Sequence, residues 1–462
     1  MSRPVAELLF RPESVLVYGA SSDPDKLSGR PLDYLKKYGY RGRIYAINPR
    51  HREVQGVPAY SDIADVPGPV DLAIIVVPAA SVETAVQRCA EAGVGAAIIF
   101  ASGFSEIGEA GQPAQQRLLD LARRGGMRLV GPNCLGTFSA AHGAFATFST
   151  AFDTEGERPE SPVALVSQSG AVGTFTYSTM NALGLGVRYF ANTGNQPDVT
   201  VIELLTELAA LSDVDVLLGH FEDGDDLPAL EKLLSAAQEH HKPLVLLKSG
   251  LTPAGARAIG AHTASTAGDD DAFSHAVAEH GAVRVESMEE MADAALAFTS
   301  GRRAAGRRLT IVTLSGGAGA LATDAAVRAG LVVEPWHPAD RERVGELLPY
   351  FGSTANPIDV TGSMINDIGI LEKTLRVVRD NDETDAVLVV LGNADRGAEE
   401  IVATLKAAYP ETGKPFFVAW TGGSGRPREQ LLAAGIPTFT DPRRAVRSLG
   451  RLVTYSLSAE KK

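Results

Sequence analysis

The residues best suited to chemistry surround His262. An apolar run, Pro243-Leu-Val-Leu-Leu-Lys-Ser-Gly250, leads into Gly255-Ala-Arg-Ala-Ile-Gly-Ala-His262-Thr-Ala-Ser-Thr-Ala-Gly268 and then three aspartates. That order reads as a buried strand opening into a loop of small residues that carries one imidazole. Small residues let a large anionic group approach the backbone closely. An imidazole in such a loop can act as a nucleophile, a proton carrier or a ligand. His240, His241, His275 and His280 read as surface or packing residues instead.

Two further segments suit anions. Val163-Ala-Leu-Val-Ser-Gln-Ser169-Gly-Ala-Val-Gly173 and Leu309-Thr-Ile-Val-Thr-Leu-Ser315-Gly-Gly-Ala-Gly319 are each an apolar strand, a Ser-Gly turn and a helix. Ser169-Gly170 and Ser315-Gly316 each place helix-terminal amides and the positive end of a dipole at one point. Such ends would stabilise a transient phosphohistidine without many lysines. A third small-residue turn, Gly19-Ala-Ser-Ser22, follows the first strand, with Lys26 nearby. It suits the phosphates of a nucleotide-like cofactor, or is a plain tight turn. The Gly-x-Gly-x-x-Gly fingerprint is absent, and the second strand ends in Asn48-Pro49 rather than in an acid. Both features disfavour a nicotinamide-dependent oxidoreductase.

Positioning these groups requires a particular set of elements. Apolar runs rich in Val and Ile alternate with Ala- and Leu-rich helical stretches throughout, the pattern of parallel α/β sheets. The 462 residues suggest three domains. The first, 1–150, holds Ser14–Tyr18, Arg43–Ile47, Asp71–Val77 and Gly95–Phe100 and closes at Met127–Cys134. A polar linker at 153–162 opens the second, 151–300. The basic hinge Gly301-Arg-Arg-Ala-Ala-Gly-Arg-Arg308, read as solvated, precedes the third, 309–462. Net charge of −13 argues against broad nucleic-acid binding. No apolar run is long enough for a membrane span, and the start lacks a signal-peptide core. Two cysteines, Cys89 and Cys134, make neither a disulfide framework nor a zinc site, and no metal site is expected. A reducing cytoplasm is the expected compartment. Cys134 reads as a small buried residue, and Trp336 and Trp420 as packing residues. Asp269, Asp270 and Asp271 read as a helix cap and first-turn acids, and Glu286, Glu289 and Glu290 as a solvated helical face.

Taken in order, these motifs resemble the alpha subunit of NDP-forming (ADP-forming) acyl-CoA synthetases, relatives of the succinyl-CoA synthetase alpha subunit. The resemblance covers nearly the whole chain. It runs through Arg11-Pro-Glu-Ser-Val-Leu-Val-Tyr-Gly-Ala-Ser21, Ile44-Tyr-Ala-Ile-Asn-Pro49, Val77-Pro78-Ala79, Ser102-Gly-Phe104 and Gly131-Pro-Asn-Cys-Leu-Gly136. It continues through Val166-Ser-Gln-Ser-Gly-Ala171, the His262 segment, Ser315-Gly-Gly-Ala-Gly319 and Ala355-Asn-Pro-Ile-Asp-Val360.

The resemblance implies a Rossmann-type CoA-binding domain followed by two flavodoxin-like, succinyl-CoA synthetase-like domains. It implies that acyl-CoA and phosphate give an acyl phosphate and CoA, and that His262 then carries the phosphoryl group to ADP or GDP. The reverse direction makes acyl-CoA from a small carboxylic acid, CoA and ATP or GTP. Gly19, Ala20, Ser21, Lys26, Val77, Pro78 and Asn133 fall where the family binds CoA. Ser169, Gly170, Ser315 and Gly316 open the phosphate-holding helices. The nucleotide and Mg2+ are expected through a separate ATP-grasp beta subunit, because no such domain follows Lys462, and a hetero-oligomer follows from that.

Two positions depart from the family pattern. The alignment puts Thr206 where relatives place a carboxylate near the carrier, with Glu203 and Glu207 close by as orienting alternatives. Ala264 replaces a permissive glycine. A CoA- or acyl-CoA-binding regulatory protein that has lost phosphoryl transfer is therefore the alternative. Phosphorylation of His262 separates the two readings.

Overall fold

The computed structural model describes residues 3–153, 159–223, 226–263 and 268–459, without the side chains of 261–263. The described chain forms three sheets. The first contains β1 (Ser14–Tyr18), β2 (Arg43–Ile47), β3 (Glu53–Val54), β4 (Val57–Tyr60), β5 (Leu72–Ile75), β6 (Ala96–Ile99) and β7 (Arg128–Val130). Their order is β3-β4-β2-β1-β5-β6-β7, with only the β3–β4 pair antiparallel. The strands are apolar on both faces because both are covered, as parallel sheets require. Val15, Val17, Ile74 and Ile98 enter one core, and Leu16, Ala73, Ile75 and Ile99 enter the other. From β1 the chain builds outward to β2 and then returns to β5 on the opposite side. The carboxyl ends of β1 and β5 therefore flank a topological switch point, where open α/β sheets bind ligands.

The second sheet contains β8 (Gly136–Ser139), β9 (Ala144–Thr147), β10 (Val163–Ser167), β11 (Tyr189–Asn192), β12 (Val216–Phe221), β13 (Leu244–Lys248) and β14 (Val283–Val285). Its order is β14-β13-β12-β10-β11-β8-β9. Strands β10 to β14 pair in parallel, whereas the β8–β9 hairpin lies antiparallel against β11. This hairpin, which precedes the polar linker, is bound to the second sheet by its aromatic rings. Phe138 stacks on Phe145 at 4.8 Å and on Phe190 of β11 at 5.4 Å. Here β10 sits at the switch point, between β11 and β12.

The third sheet contains β15 (Leu309–Thr313), β16 (Ile358–Asp359), β17 (Ala386–Gly392), β18 (Phe416–Thr421) and β19 (Thr438–Phe439), in the parallel order β16-β15-β17-β18-β19. Trp336 and Trp420 are buried in its core, in agreement with their packing role.

Two compact units result. One comprises residues 1–179 and 185–291, and the other 180–184 and 292–462. The first two sheets share a core in the first unit, in which Val15 and Val17 cluster with Val166 and Leu217. The basic hinge is largely exposed, as its composition suggests, with Arg302 held against the third sheet's unit. Arg302 donates to the carbonyls of Tyr409 at 2.5 Å, Thr412 at 3.3 Å and Lys414 at 2.5 Å, and lies 3.7 Å over the Tyr409 ring. A guanidinium offers five donors and a flat face, so one arginine can clamp several carbonyls. Among the described residues, no helix is long and apolar enough to cross a membrane.

Candidate functional site

At the first switch point the chain turns sharply after β1. Gly19 has φ +93° and donates its amide to Ile47 O at 3.1 Å. A Cβ at this position would stand 2.7 Å from Val77 Cγ1 and 3.1 Å from Val76 O. The glycine therefore lets the loop after β1 close on the end of β5. Asn48 donates to Ala20 O at 3.0 Å, and Gln55 donates to Ser21 O at 2.8 Å. Asn48 and Gln55 thus pin the loop together. Val77 is half-buried, and the exposed Pro78 precedes the helix Ala79–Glu91.

Gly19, Ala20, Ser21, Val77 and Pro78 are accordingly brought to one sheet edge. Lys26 projects from the same loop, exposed and 3.8 Å from Asp23. Asn133 has φ +59°, donates its amide to Ala101 O at 2.9 Å and its side chain to Asn195 at 3.3 Å. Asn195 in turn donates to Glu106 at 2.5 Å. Burial pushes the Glu106 carboxyl up, but the Asn195 bond and the amides of Gly103 and Phe104 outweigh it and hold the group below its usual range.

The two Ser-Gly openings share one local design. Ser167 Oγ donates to Ser169 O at 2.6 Å, and Thr313 Oγ1 donates to Ser315 O at 3.0 Å. In each case a hydroxyl two residues upstream pins the carbonyl of the turn. Asn192 reinforces the first turn, donating to Ser167 O at 3.0 Å and Gln168 O at 2.7 Å. Gly170 and Gly173 are needed for close packing, since a Cβ would come within 2.8 Å of Leu135 and 2.9 Å of Ser167 respectively. At the third sheet, Ser315 caps the helix Gly316–Arg328. Asp359 lies beside that turn, with Oδ2 3.3 Å from where a Gly316 Cβ would be.

The His262 segment departs from the expected loop. Residues Pro253–Thr263 form a helix, capped by Thr252 through the Gly255 amide at 3.1 Å. Alanine-rich sequence favours helix even where two glycines interrupt it. His262 occupies its last turn, and its side chain lies outside the described residues, as does Ala264. Beyond, Asp269 caps the next helix, accepting from Asp271 N at 3.0 Å and Ala272 N at 3.1 Å, as expected for these acids. Asp270 accepts twice from Arg284, at 2.7 and 2.9 Å, and lies 3.5 Å from the buried Lys248 ammonium.

The three positions considered for orienting the carrier are all engaged elsewhere. Thr206 Oγ1 donates to Ile202 O of its own helix at 2.7 Å. Glu203 accepts from Arg128 at 2.9 and 2.8 Å. Glu207 accepts from Ala6 N at 2.7 Å and Val5 N at 3.3 Å, capping the helix Val5–Phe10. Arg128 also meets Asp198 at 3.0 Å, so one guanidinium holds two carboxylates. Arg128→Met should lower stability by about 2 kcal/mol, read as a shifted urea midpoint at unchanged slope.

Sequence reasoning missed Glu222, Lys248 and His220, each less than a tenth exposed near the carboxyl edge of the second sheet. A polar group inside an otherwise apolar strand run was the available signal. Cys134 is buried against Ile99 O at 3.3 Å, and burial pushes its thiol up to about 12, which fits packing rather than nucleophilic chemistry. Among the described residues, no group of three or more His, Cys, Asp or Glu is placed to hold a metal.

Comparison with known proteins defines the class first. Residues 13–139 match a CoA binding domain, 160–298 a succinyl-CoA ligase like flavodoxin domain, and 309–394 a ligase-CoA domain. The chain is 32% identical over 461 residues to the alpha subunit of ADP-forming acetate–CoA ligase I from Pyrococcus furiosus, covering 97% of both chains. It is 33% identical to the ADP-forming acetate–CoA ligase I of Archaeoglobus fulgidus, using 97% of this chain but spanning only 64% of that protein. The structure of Ca. Korarchaeum cryptofilum dinucleotide forming acetyl-coenzyme A synthetase 1, in complex with phosphate and ADP, superposes with a TM-score of 0.89 at 29% identity, covering 99% of this chain and 97% of that one. The chain belongs to the ADP-forming acetate–CoA ligase family, whose members are acid–thiol ligases. The expected fold, a CoA-binding domain followed by flavodoxin-like ligase domains, is borne out.

Proposed function

We propose that this chain is the alpha part of an ADP-forming acyl-CoA ligase. It interconverts acyl-CoA, phosphate and ADP with a small carboxylic acid, CoA and ATP. The observation that carries the reading is the order of the three matched domains combined with a near full-length match to an alpha subunit. The geometry supports it. The Gly19–Ser21 loop, Val77, Pro78, Lys26 and Asn133 form the CoA-binding edge, a polar backbone cradle that the glycine keeps open at the switch point. CoA supplies the thiol that is acylated or released.

Phosphate attack on the thioester carbonyl expels the CoA thiolate and gives an acyl phosphate. The His262 imidazole then attacks phosphorus, the carboxylate leaves, and the phosphoryl group stays on the ring until ADP takes it. The Ser169–Gly170 helix opening holds the phosphoryl charge, and Ser315–Gly316 offers an anion-binding end of the same kind within its own unit. Glu222, buried directly after β12 with its amide on Gln168 Oε1 at 2.7 Å, is a carboxylate at the carboxyl edge of the second sheet and is assigned the orienting role. An ATP-grasp partner supplies the nucleotide and Mg2+ site.

The test is thiol release. Acetyl-CoA and phosphate should yield free CoA with the chain present, and a panel of acyl-CoA thioesters with no release from any would overturn the reading. Thr206→Val should leave His262 labelling by acyl phosphate unchanged, because its hydroxyl serves its own helix. Glu222→Gln should slow the same labelling about tenfold.

A further inference from the structure

His220 belongs to none of the roles above. It is the penultimate residue of β12, between β10 and β13, and is 1% exposed. Its Nδ1 lies 3.2 Å from Ser167 Oγ on one neighbouring strand, and its Nε2 lies 2.9 Å from Ser249 Oγ beyond the other.

The proton positions follow from counting. Ser167 has one hydroxyl proton and gives it to Ser169 O at 2.6 Å. Its oxygen therefore meets the ring as an acceptor, and Nδ1 must carry a proton. Burial lowers the pKa of His220 to about 4, so the ring is neutral near pH 7 and Nε2 is bare. Ser249 must then donate to Nε2. The result is a directed chain from Ser249 through His220 and Ser167 to the Ser169 carbonyl, crossing adjacent strands.

Both ends of this chain are functional segments. One is the carbonyl of the first phosphate turn. The other directly follows β13, where Gly250 at φ +80° turns the backbone toward the helix Pro253–Thr263 that carries His262. A buried imidazole needs a partner for each ring nitrogen, and here both partners come from these two segments. We propose that His220 is a positioning residue for phosphoryl transfer, fixing the Ser169–Gly170 turn and the strand end before the His262 helix in one register. This rests on the phosphocarrier reading of His262.

The experiment compares the unsubstituted chain with His220→Asn, His220→Gln, Ser249→Ala and the His220→Asn/Ser249→Ala double variant. His262 labelling is followed at varied acetyl phosphate concentration. Asn can keep the bond to Ser167 but not to Ser249, whereas Gln can reach Ser249. His220→Asn and Ser249→Ala should each slow labelling at saturating donor about tenfold, a typical effect of slight misplacement. The half-saturating donor concentration and the CoA-induced rise in Tm should stay unchanged, which a loss of fold would not allow. The double variant should be no slower than either single one, since both break one chain. His220→Gln should recover part of the rate. In ¹⁵N spectra of histidine-labelled protein, Nδ1 of His220 should be protonated and Nε2 bare.

Unchanged rates in both single variants, multiplicative slowing in the double one, or the opposite tautomer would overturn the positioning role alone. No label on the unsubstituted chain from any acyl phosphate would overturn the phosphocarrier reading, and this role with it. If His220→Asn does not fold, the partly exposed Ser249→Ala decides by the same measurements.

Discussion

Incubation with acetyl phosphate is expected to add one phosphoryl group to this chain, and His262→Asn is expected to abolish the addition while CoA binding persists. In the proposed reaction the imidazole displaces carboxylate from phosphorus, a step in which the enzyme supplies both the nucleophile and the charge stabilisation. Asparagine keeps polarity and approximate size but has no nucleophilic nitrogen, so the loss should be complete rather than graded. Intact-protein mass spectrometry under neutral conditions reads the result, because the phosphoramidate bond is acid-labile. Acidification should remove the added mass from the labelled protein. Should no acyl donor in a panel label the chain while CoA still raises its Tm, the alternative of a CoA-binding module without phosphoryl transfer would hold instead.

Gly19→Ala is expected to remove CoA binding with only a moderate effect on folding. At φ +93° an alanine is strained whatever the space around it, and here its Cβ would also stand 2.7 Å from Val77 Cγ1. The strain costs about 1–3 kcal/mol if the loop holds its shape. The loop can relieve it by withdrawing from the end of β5, which opens the cradle formed with Val77 and Pro78. Gly39→Ala is the control: φ is +72° but nothing lies within 4 Å of the added carbon. Both variants should lose stability, yet only Gly39→Ala should retain a CoA-dependent rise in Tm. Equal CoA protection in both would overturn the assignment of the Gly19 loop.

Sequence alone determined the three α/β layers, because buried parallel strands must be apolar along their length and the turns after them need small residues. It also located the small-residue turns that close three of the strands. Gly19, Ser169 and Ser315 each follow an apolar run and stand at the carboxyl end of a strand beside a topological switch point. The apolar runs and the small residues that end them are local properties, legible from spacing and residue type; the switch points are set by strand order.

Tertiary structure decided which groups pair across strands. The hairpin Gly136–Thr147 lies before the polar linker yet completes the second sheet, because Phe138 finds Phe190 there. Thr206, Glu203 and Glu207 look available on a helix face, but one bonds its own helix, one holds Arg128 and one caps the helix Val5–Phe10. His220 reads as an ordinary residue in Val216-Leu-Leu-Gly-His-Phe221 until strand order sets Ser167 and Ser249 on either side of it. Hydrogen-bond partners distant in the chain are chosen by the arrangement of strands, and local periodicity carries no information about that arrangement.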